Sequence, residues 1–178
     1  NTDLGMDSKK LSPTDLLNNL REAYDPKEMI KTGIPAWDAA LGGGFVKNNL
    51  HLIAGSPGSG KSRTMAFLTK QALMDFKRVV FITLELTEEE TYANIASAIT
   101  GLTMHDMLCK ENEEEFTEKF VNFNEQYNSD LFVKFYRPGT TNADTVDNYI
   151  QQIIRDREHA GIKNWKPDVI FLDYMDKM

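Results

Sequence analysis

The chain is 178 residues long, about one domain at roughly 150 residues per domain. Its 41% hydrophobic and 26% charged residues exclude collagen-like, mucin-like and wholly disordered readings and leave room for one sizeable core. Lys plus Arg number 20 and Asp plus Glu 27, a net charge of −7, so any contact with nucleic acid must be local rather than a broad electrostatic embrace. The first ten residues, Asn1 to Lys10, are polar and carry no apolar signal core. Ser12-Pro13-Thr14-Asp15 then reads as a helix start, with Ser12 as N-cap and Pro13 in the first helical position. Leu16, Leu17, Leu20 and Tyr24 follow on one face, and Asp25-Pro26 stops the helix. This amphipathic segment is either a cap on the local core or an arm that docks on a neighbouring subunit, and the sequence leaves both open.

Thr32-Gly33-Ile34-Pro35-Ala36-Trp37-Asp38 leads into Gly42-Gly43-Gly44, a tight turn. Leu50 to Ala54 is a short apolar run ending in glycine, predicted as a buried parallel strand. Ser62 to Phe76 carries Met65, Leu68, Ala72 and Leu73 at helical spacing. Val79 to Leu84 reads as a second strand. Thr87 with Glu90 three residues on is a capping box opening a helix to about Thr100, so the acidic run Glu88 to Glu90 complements a helix dipole rather than a metal. Phe116, Phe120, Phe123 and Tyr127 form a core stripe on a further helix. Leu131 to Tyr136 is a third strand; Thr141 is predicted to cap a helix that Gly161 ends. Val169 to Leu172 is a fourth strand, reaching Asp173.

Strands alternating with helices predict an α/β fold, a mainly parallel sheet with helices on both faces. No apolar run approaches the roughly 18–20 residues of a membrane-spanning helix. The single cysteine, Cys109, excludes an internal disulfide and a multi-cysteine zinc site, and suits a reducing, cytoplasmic setting. His51 and His159 show no ligand spacing, and His105 beside Asp106 reads as a turn or cap.

Gly55-Ser56-Pro57-Gly58-Ser59-Gly60-Lys61-Ser62 matches G-x-x-x-x-G-K-[ST] in full, between a predicted strand and a predicted helix. Glycines let the loop curl so that backbone N–H groups point at phosphate oxygens, and the helix N-terminus adds its positive dipole end. Lys61 is placed to reach the β- and γ-phosphates and the Ser62 hydroxyl to bind Mg²⁺. The ATP-binding set expected is Gly55 to Ser62 together with Arg63. Asp173 ends an apolar strand where a Walker B carboxylate lies, at the carboxyl edge of the sheet, and is a second expected Mg²⁺ ligand. Glu85, immediately after the second strand, suits a carboxylate that polarises the attacking water; on position alone a capping or solvated role competes with it.

With these residues in view, the chain from about Thr32 to Met178 resembles a RecA-like ATPase, specifically the motor domain of replicative hexameric helicases of the DnaB type. Thr32 to Asp38 with its trailing glycines, and the phosphate loop, are shared by recombinases, circadian-clock-type ATPases and helicases. Thr83-Leu84-Glu85-Leu86 resembles the helicases' Ser-Leu-Glu-Met, in which the glutamate activates water. Asp173-Tyr174 followed by Met178 resembles their Asp-Tyr-Leu-Gln-Leu-Met, whereas strand-exchange recombinases place a serine after that aspartate. Ala98 to Met107 is weakly similar to the segment after the glutamate motif. Gly58 stands where bacterial replicative helicases commonly have Met, a departure more typical of phage-encoded relatives.

The resemblance implies an N-terminal arm over residues 1–31 and an ATPase domain over 32–178. It implies ATP-driven DNA unwinding by a homohexameric ring, with Lys61 and Glu85 catalytic, ATP and Mg²⁺ bound, and single-stranded or forked DNA as partner. A primase or helicase loader is a further expected partner, and the bacterial cytoplasm the expected location. Two alternatives stand beside it: a RecA/RadA-type recombinase or mediator, and a clock or signalling ATPase with no nucleic-acid substrate. The family's next strand, its γ-phosphate sensor and its basic finger do not stand in these residues. The domain is therefore expected to be incomplete on its C-terminal side and weakly active or inactive by itself.

Overall fold

A computed structural model of the chain describes residues 12–25 and 29–173. The chain divides into two compact units, Asn1–Leu52 and Ile53–Met178. In the first, helix α1 spans Pro13–Ala23. Ser12 caps it as expected: its Oγ accepts from the Asp15 N–H at 3.1 Å and donates to the Asp15 carboxylate at 2.6 Å. Its apolar face, Leu16, Leu17, Leu20 and Tyr24, stays exposed. The proline expected to stop it, Pro26, lies outside the described residues. Helix α2, Pro35–Ala40, is tied back by Asp38, whose Oδ1 accepts from the N–H and the hydroxyl of the fully buried Thr32 at 2.8 and 2.7 Å. Ile30 and Phe45 form an antiparallel bridge on either side of this helix and the glycine turn.

In the second unit the chain runs through α3 (Lys61–Met74), β1 (Val79–Thr83), α4 (Glu88–Thr100), α5 (Met104–Leu108), α6 (Glu113–Tyr127), β2 (Leu131–Phe135), α7 (Ala143–His159) and β3 (Val169–Asp173). The three strands form one parallel sheet in the order β2-β1-β3. The central strand β1 is buried along its whole length, as a run of Val, Phe and Ile between two helical layers must be. Its side chains alternate between faces. Val80 and Ile82 pack with Ile153 of α7 and with Trp165, while α3 lies against β1 and β3 and α4 against α3 and β2. Each fully buried Val, Ile or Phe of this kind contributes about 1.5–3 kcal/mol. The fold is thus the expected α/β one, with helices on both faces of a parallel sheet.

Two carboxylates fasten the edge of the sheet where the strands begin. Asp168 accepts from the Arg78 backbone N–H, Nε and Nη2, each at 2.8 Å, joining the turn before β1 to the turn before β3. Asp130 accepts from Arg157 Nη2 at 2.7 Å and from Trp165 Nε1 at 2.6 Å, joining the start of β2 to α7. Trp165 is fully buried, and its ring meets Phe132 edge-on.

Three expectations need correction. Leu50–Ala54 is not a strand: the segment is irregular, with Leu50 and Leu52 exposed. A parallel strand exists only where a neighbour completes its hydrogen-bond ladder, and among the described residues none pairs with this run. Thr141 does not cap α7. Asn142 does, its Oδ1 accepting from the Thr145 N–H at 3.0 Å, because it stands one residue nearer the first turn; Thr141 is buried behind it. The aromatic stripe of α6 is only half-buried, since α6 packs chiefly on α4.

Candidate functional site

Residues Gly55 to Ser62 form a loop that runs directly into α3, with Lys61 as the first helical residue. Two glycines allow the curl: Gly58 at φ 76° and Gly60 at φ 88° occupy the left-handed region that a side chain disfavours. Gly60 serves as the N-cap of α3, and its carbonyl accepts from the N–H and the hydroxyl of Thr64 at 2.8 and 3.0 Å. Ser59 N–H closes a turn onto the Ser56 carbonyl at 3.1 Å. Lys61 Nζ folds back and donates to the carbonyls of Gly55 and Ser56 at 2.9 and 3.1 Å. The ammonium is therefore held at the mouth of the loop by two weak acceptors that an anion can replace. Ser62 is half-buried beside it, while Arg63 is exposed on the first turn of α3. Ser56, Pro57, Gly58 and Ser59 are all open to an incoming phosphate.

The other candidate residues sit where the strands end. Thr83 and Asp173, the last residues of β1 and β3, are direct register partners, and the Leu84 N–H donates to the Asp173 carbonyl at 3.3 Å. Asp173 is only 4% exposed, and its Oδ2 has no hydrogen-bond partner among the described residues. An unsatisfied buried polar atom costs about 1–3 kcal/mol, more when charged, so such an atom is a ligand in waiting or a strain. Hard oxygen donors of this kind, a carboxylate and the Ser62 hydroxyl, fit Mg²⁺, which keeps several waters and takes the rest of its shell from nucleotide phosphates. Among the described residues no cluster of three or more His, Cys, Asp or Glu forms a cage, and a metal of that habit needs none.

Glu85 projects into solvent two residues after Thr83. Its acidic neighbours are otherwise engaged. Glu88 Oε1 accepts from the Phe135 N–H at 3.1 Å and from Lys134 Nζ at 3.2 Å, which hold its carboxyl below the usual carboxylate range, the backbone bond first. Glu90 closes the capping box, accepting from the Thr87 N–H at 2.9 Å while its own N–H donates to Thr87 Oγ1. The acidic run thus serves the helix start and the β2 edge. Behind Glu85 lies Thr83, not singled out by the sequence, whose hydroxyl accepts from the Leu86 N–H at 3.1 Å and donates to the Leu86 carbonyl at 3.0 Å. A threonine at the start of a four-residue bend is a weak signal for such a turn, and it does not say that both hydrogen-bonding roles go to one residue.

A family model described as "ATPase: KaiC" matches residues 30–162, three-quarters of the chain. The chain belongs to the KaiC family of ATPases. The KaiC-type match takes in the phosphate loop and Glu85 and stops short of β3. The chain is also similar to the replicative DNA helicase DnaB of Helicobacter pylori strain J99, 24% identical over 91% of this chain and 32% of that protein. The DnaB of H. pylori strain 26695 is 25% identical over 83% of this chain and 29% of its own. The DNA repair protein RadA of Listeria monocytogenes is 30% identical over 39% of this chain and 15% of that protein. The chain therefore spans about a third of the length of the DnaB relatives. Family membership and the parallel sheet together make this a RecA-like P-loop ATPase of DnaB-type relationship. The segment Tyr174 to Met178, which carried part of that resemblance, lies outside the described residues.

Proposed function

We propose that this chain is the nucleotide-binding portion of an ATP-driven DNA helicase motor, acting in the cytoplasm of a bacterium or a phage-infected cell. The observation that carries the reading is the buried carboxylate of Asp173, one oxygen of which has no hydrogen-bond partner among the described residues, at the strand edge from which Glu85 emerges. The backbone N–H groups of the loop and Lys61 hold the triphosphate, Lys61 exchanging its bonds to Gly55 and Ser56 for phosphate oxygens. Ser62 and Asp173 hold Mg²⁺, which supplies charge neutralisation on the phosphates. Glu85 accepts a hydrogen bond from the attacking water and orients it in line with the γ-phosphate. Arg63, exposed one residue beyond Ser62, completes the nucleotide contacts.

The helicase reading, as opposed to ATPase alone, rests on the two DnaB relatives, which match along most of this chain. It includes a homohexameric ring, with the exposed apolar face of α1 (Leu16, Leu17, Leu20, Tyr24) packing on an adjacent protomer. A RadA-type recombination role is the second reading, favoured by the RadA similarity. The full-length protein decides between them. ATP-dependent unwinding of a forked duplex, with turnover stimulated by single-stranded DNA, is the expected result. Strand exchange without unwinding supports the recombination role, and turnover indifferent to DNA points to a signalling ATPase.

A further inference from the structure

We propose that Thr83 is a positioning residue for Glu85: its hydroxyl clamps both main-chain groups of Leu86 and so fixes the bend on which the carboxylate is carried. The inference rests on the reading of Glu85 as the group that orients the attacking water. Thr83 is fully buried, and its Oγ is used twice, accepting from the Leu86 N–H at 3.1 Å and donating to the Leu86 carbonyl at 3.0 Å. A hydroxyl serves both groups at once because it has one proton and two lone pairs; no apolar side chain of the same shape can do either.

The rest of the bend is pinned by contacts that leave Glu85 alone. Leu84 is fully buried, and its N–H reaches the Asp173 carbonyl at 3.3 Å, locking the turn to the end of β3. Beyond Leu86, Thr87 and Glu90 close the capping box of α4. Within Thr83 to Leu86, then, Glu85 is the exposed residue, flanked by a buried residue and a half-buried one whose amide and carbonyl are both tied to Thr83. A bend closed this way fixes the backbone that carries the Glu85 side chain relative to the end of β3 before any nucleotide arrives. General-base geometry is demanding: a misplacement of about 1 Å can cost about 100-fold in rate. Burial and double hydrogen bonding are more than β1 itself requires, because Thr83 already pairs with both neighbouring strands through its backbone.

The test uses the full-length protein with Thr83→Val, which keeps the shape and removes the hydroxyl, and Thr83→Ser, which restores it. Thr83→Val is expected to lower kcat for ATP by roughly 10- to 100-fold with KM and nucleotide affinity within about twofold of wild type. Thr83→Ser should recover most of the lost turnover. Added to Glu85→Gln, Thr83→Val should lower kcat no further, because it acts through Glu85. Amide hydrogen exchange at Leu86 reads the clamp without reference to activity: protected in wild type and in Thr83→Ser, fast in Thr83→Val. An exposed Leu86 amide in wild type overturns the clamp even if Thr83→Val does not fold. Fast exchange in Thr83→Val with unchanged kcat, or a fall in nucleotide affinity matching the fall in turnover, overturns the positioning role. Undiminished turnover in Glu85→Gln alone would remove the reading of Glu85 and with it the positioning role, while the exchange result still decides whether the clamp exists.

Discussion

Asp173 and Thr83 lie opposite each other at the last rung of the β3–β1 ladder, and the buried Asp173 carboxylate has one oxygen with no partner among the described residues. A protein keeps such a group only where something outweighs its desolvation. Asp173→Asn should therefore separate stability from function. The unfolding free energy should stay level or rise, by on the order of 1 kcal/mol, and the melting temperature with it. The Mg²⁺-dependent part of nucleotide affinity should vanish. Thermal melts with and without Mg²⁺ and ATP check both halves.

Lys61 spends its hydrogen bonds on the carbonyls of Gly55 and Ser56 and takes no part in the packing of α3, whose buried positions begin at Met65. Lys61→Ala should leave the thermal melt within about 0.5 kcal/mol of wild type, as surface substitutions do. Nucleotide binding or turnover should fall by roughly 100-fold or more, the scale for losing one preorganised contact to developing charge. A fluorescent ATP analogue titrated into both proteins reads the difference.

Asp130 is the shared acceptor for Arg157 and the buried Trp165. Removing it strands the indole N–H in a dry environment, so Asp130→Ala should cost about 2 kcal/mol. Asp130→Asn, which keeps an acceptor for Trp165, should cost less. Denaturant unfolding followed by circular dichroism ranks the two.

The Arg78–Asp168 pair gives a pH signature. Burial alone would raise the Asp168 carboxyl, but the side-chain and backbone bonds from Arg78 outweigh it and leave the group below its usual range. The unfolded chain then takes up its proton first as pH falls, so the stabilisation is complete above about pH 4 and is lost as pH drops through the folded value. Asp168→Asn should flatten the acid side of a stability-against-pH curve, lowering stability most at neutral pH, where the pair is fully formed, and converging on wild type as pH falls through the folded value. Urea midpoints between pH 2.5 and 7 make the comparison.

Local chemistry made much of this molecule readable in the sequence. Ser12 with Pro13, and Thr87 with Glu90, each define a helix start through groups a few residues apart, and each stands where expected. Strands buried on both faces, such as β1, announce themselves as unbroken apolar runs. The misses are of two kinds. Leu50–Ala54 has the composition of a strand, but a strand is made by its neighbour, and composition says nothing of whether one is in place. Thr141 and Asn142 are both good caps, and only the backbone decides which one meets the free N–H groups of α7. At the candidate site the loop was legible because its spacing is set by phosphate geometry. The Thr83 clamp was not, because nothing in a lone threonine says that both its hydrogen-bonding roles are used on one residue.

The central claim is that Glu85 orients the water that attacks the nucleotide held by Lys61. It is tested most directly by single-turnover ATP hydrolysis in the full-length protein with Glu85→Gln, with nucleotide affinity measured on the same samples. The account predicts unchanged affinity and hydrolysis slowed by roughly 100-fold or more, the scale of a lost general base. Hydrolysis at the wild-type rate would contradict it.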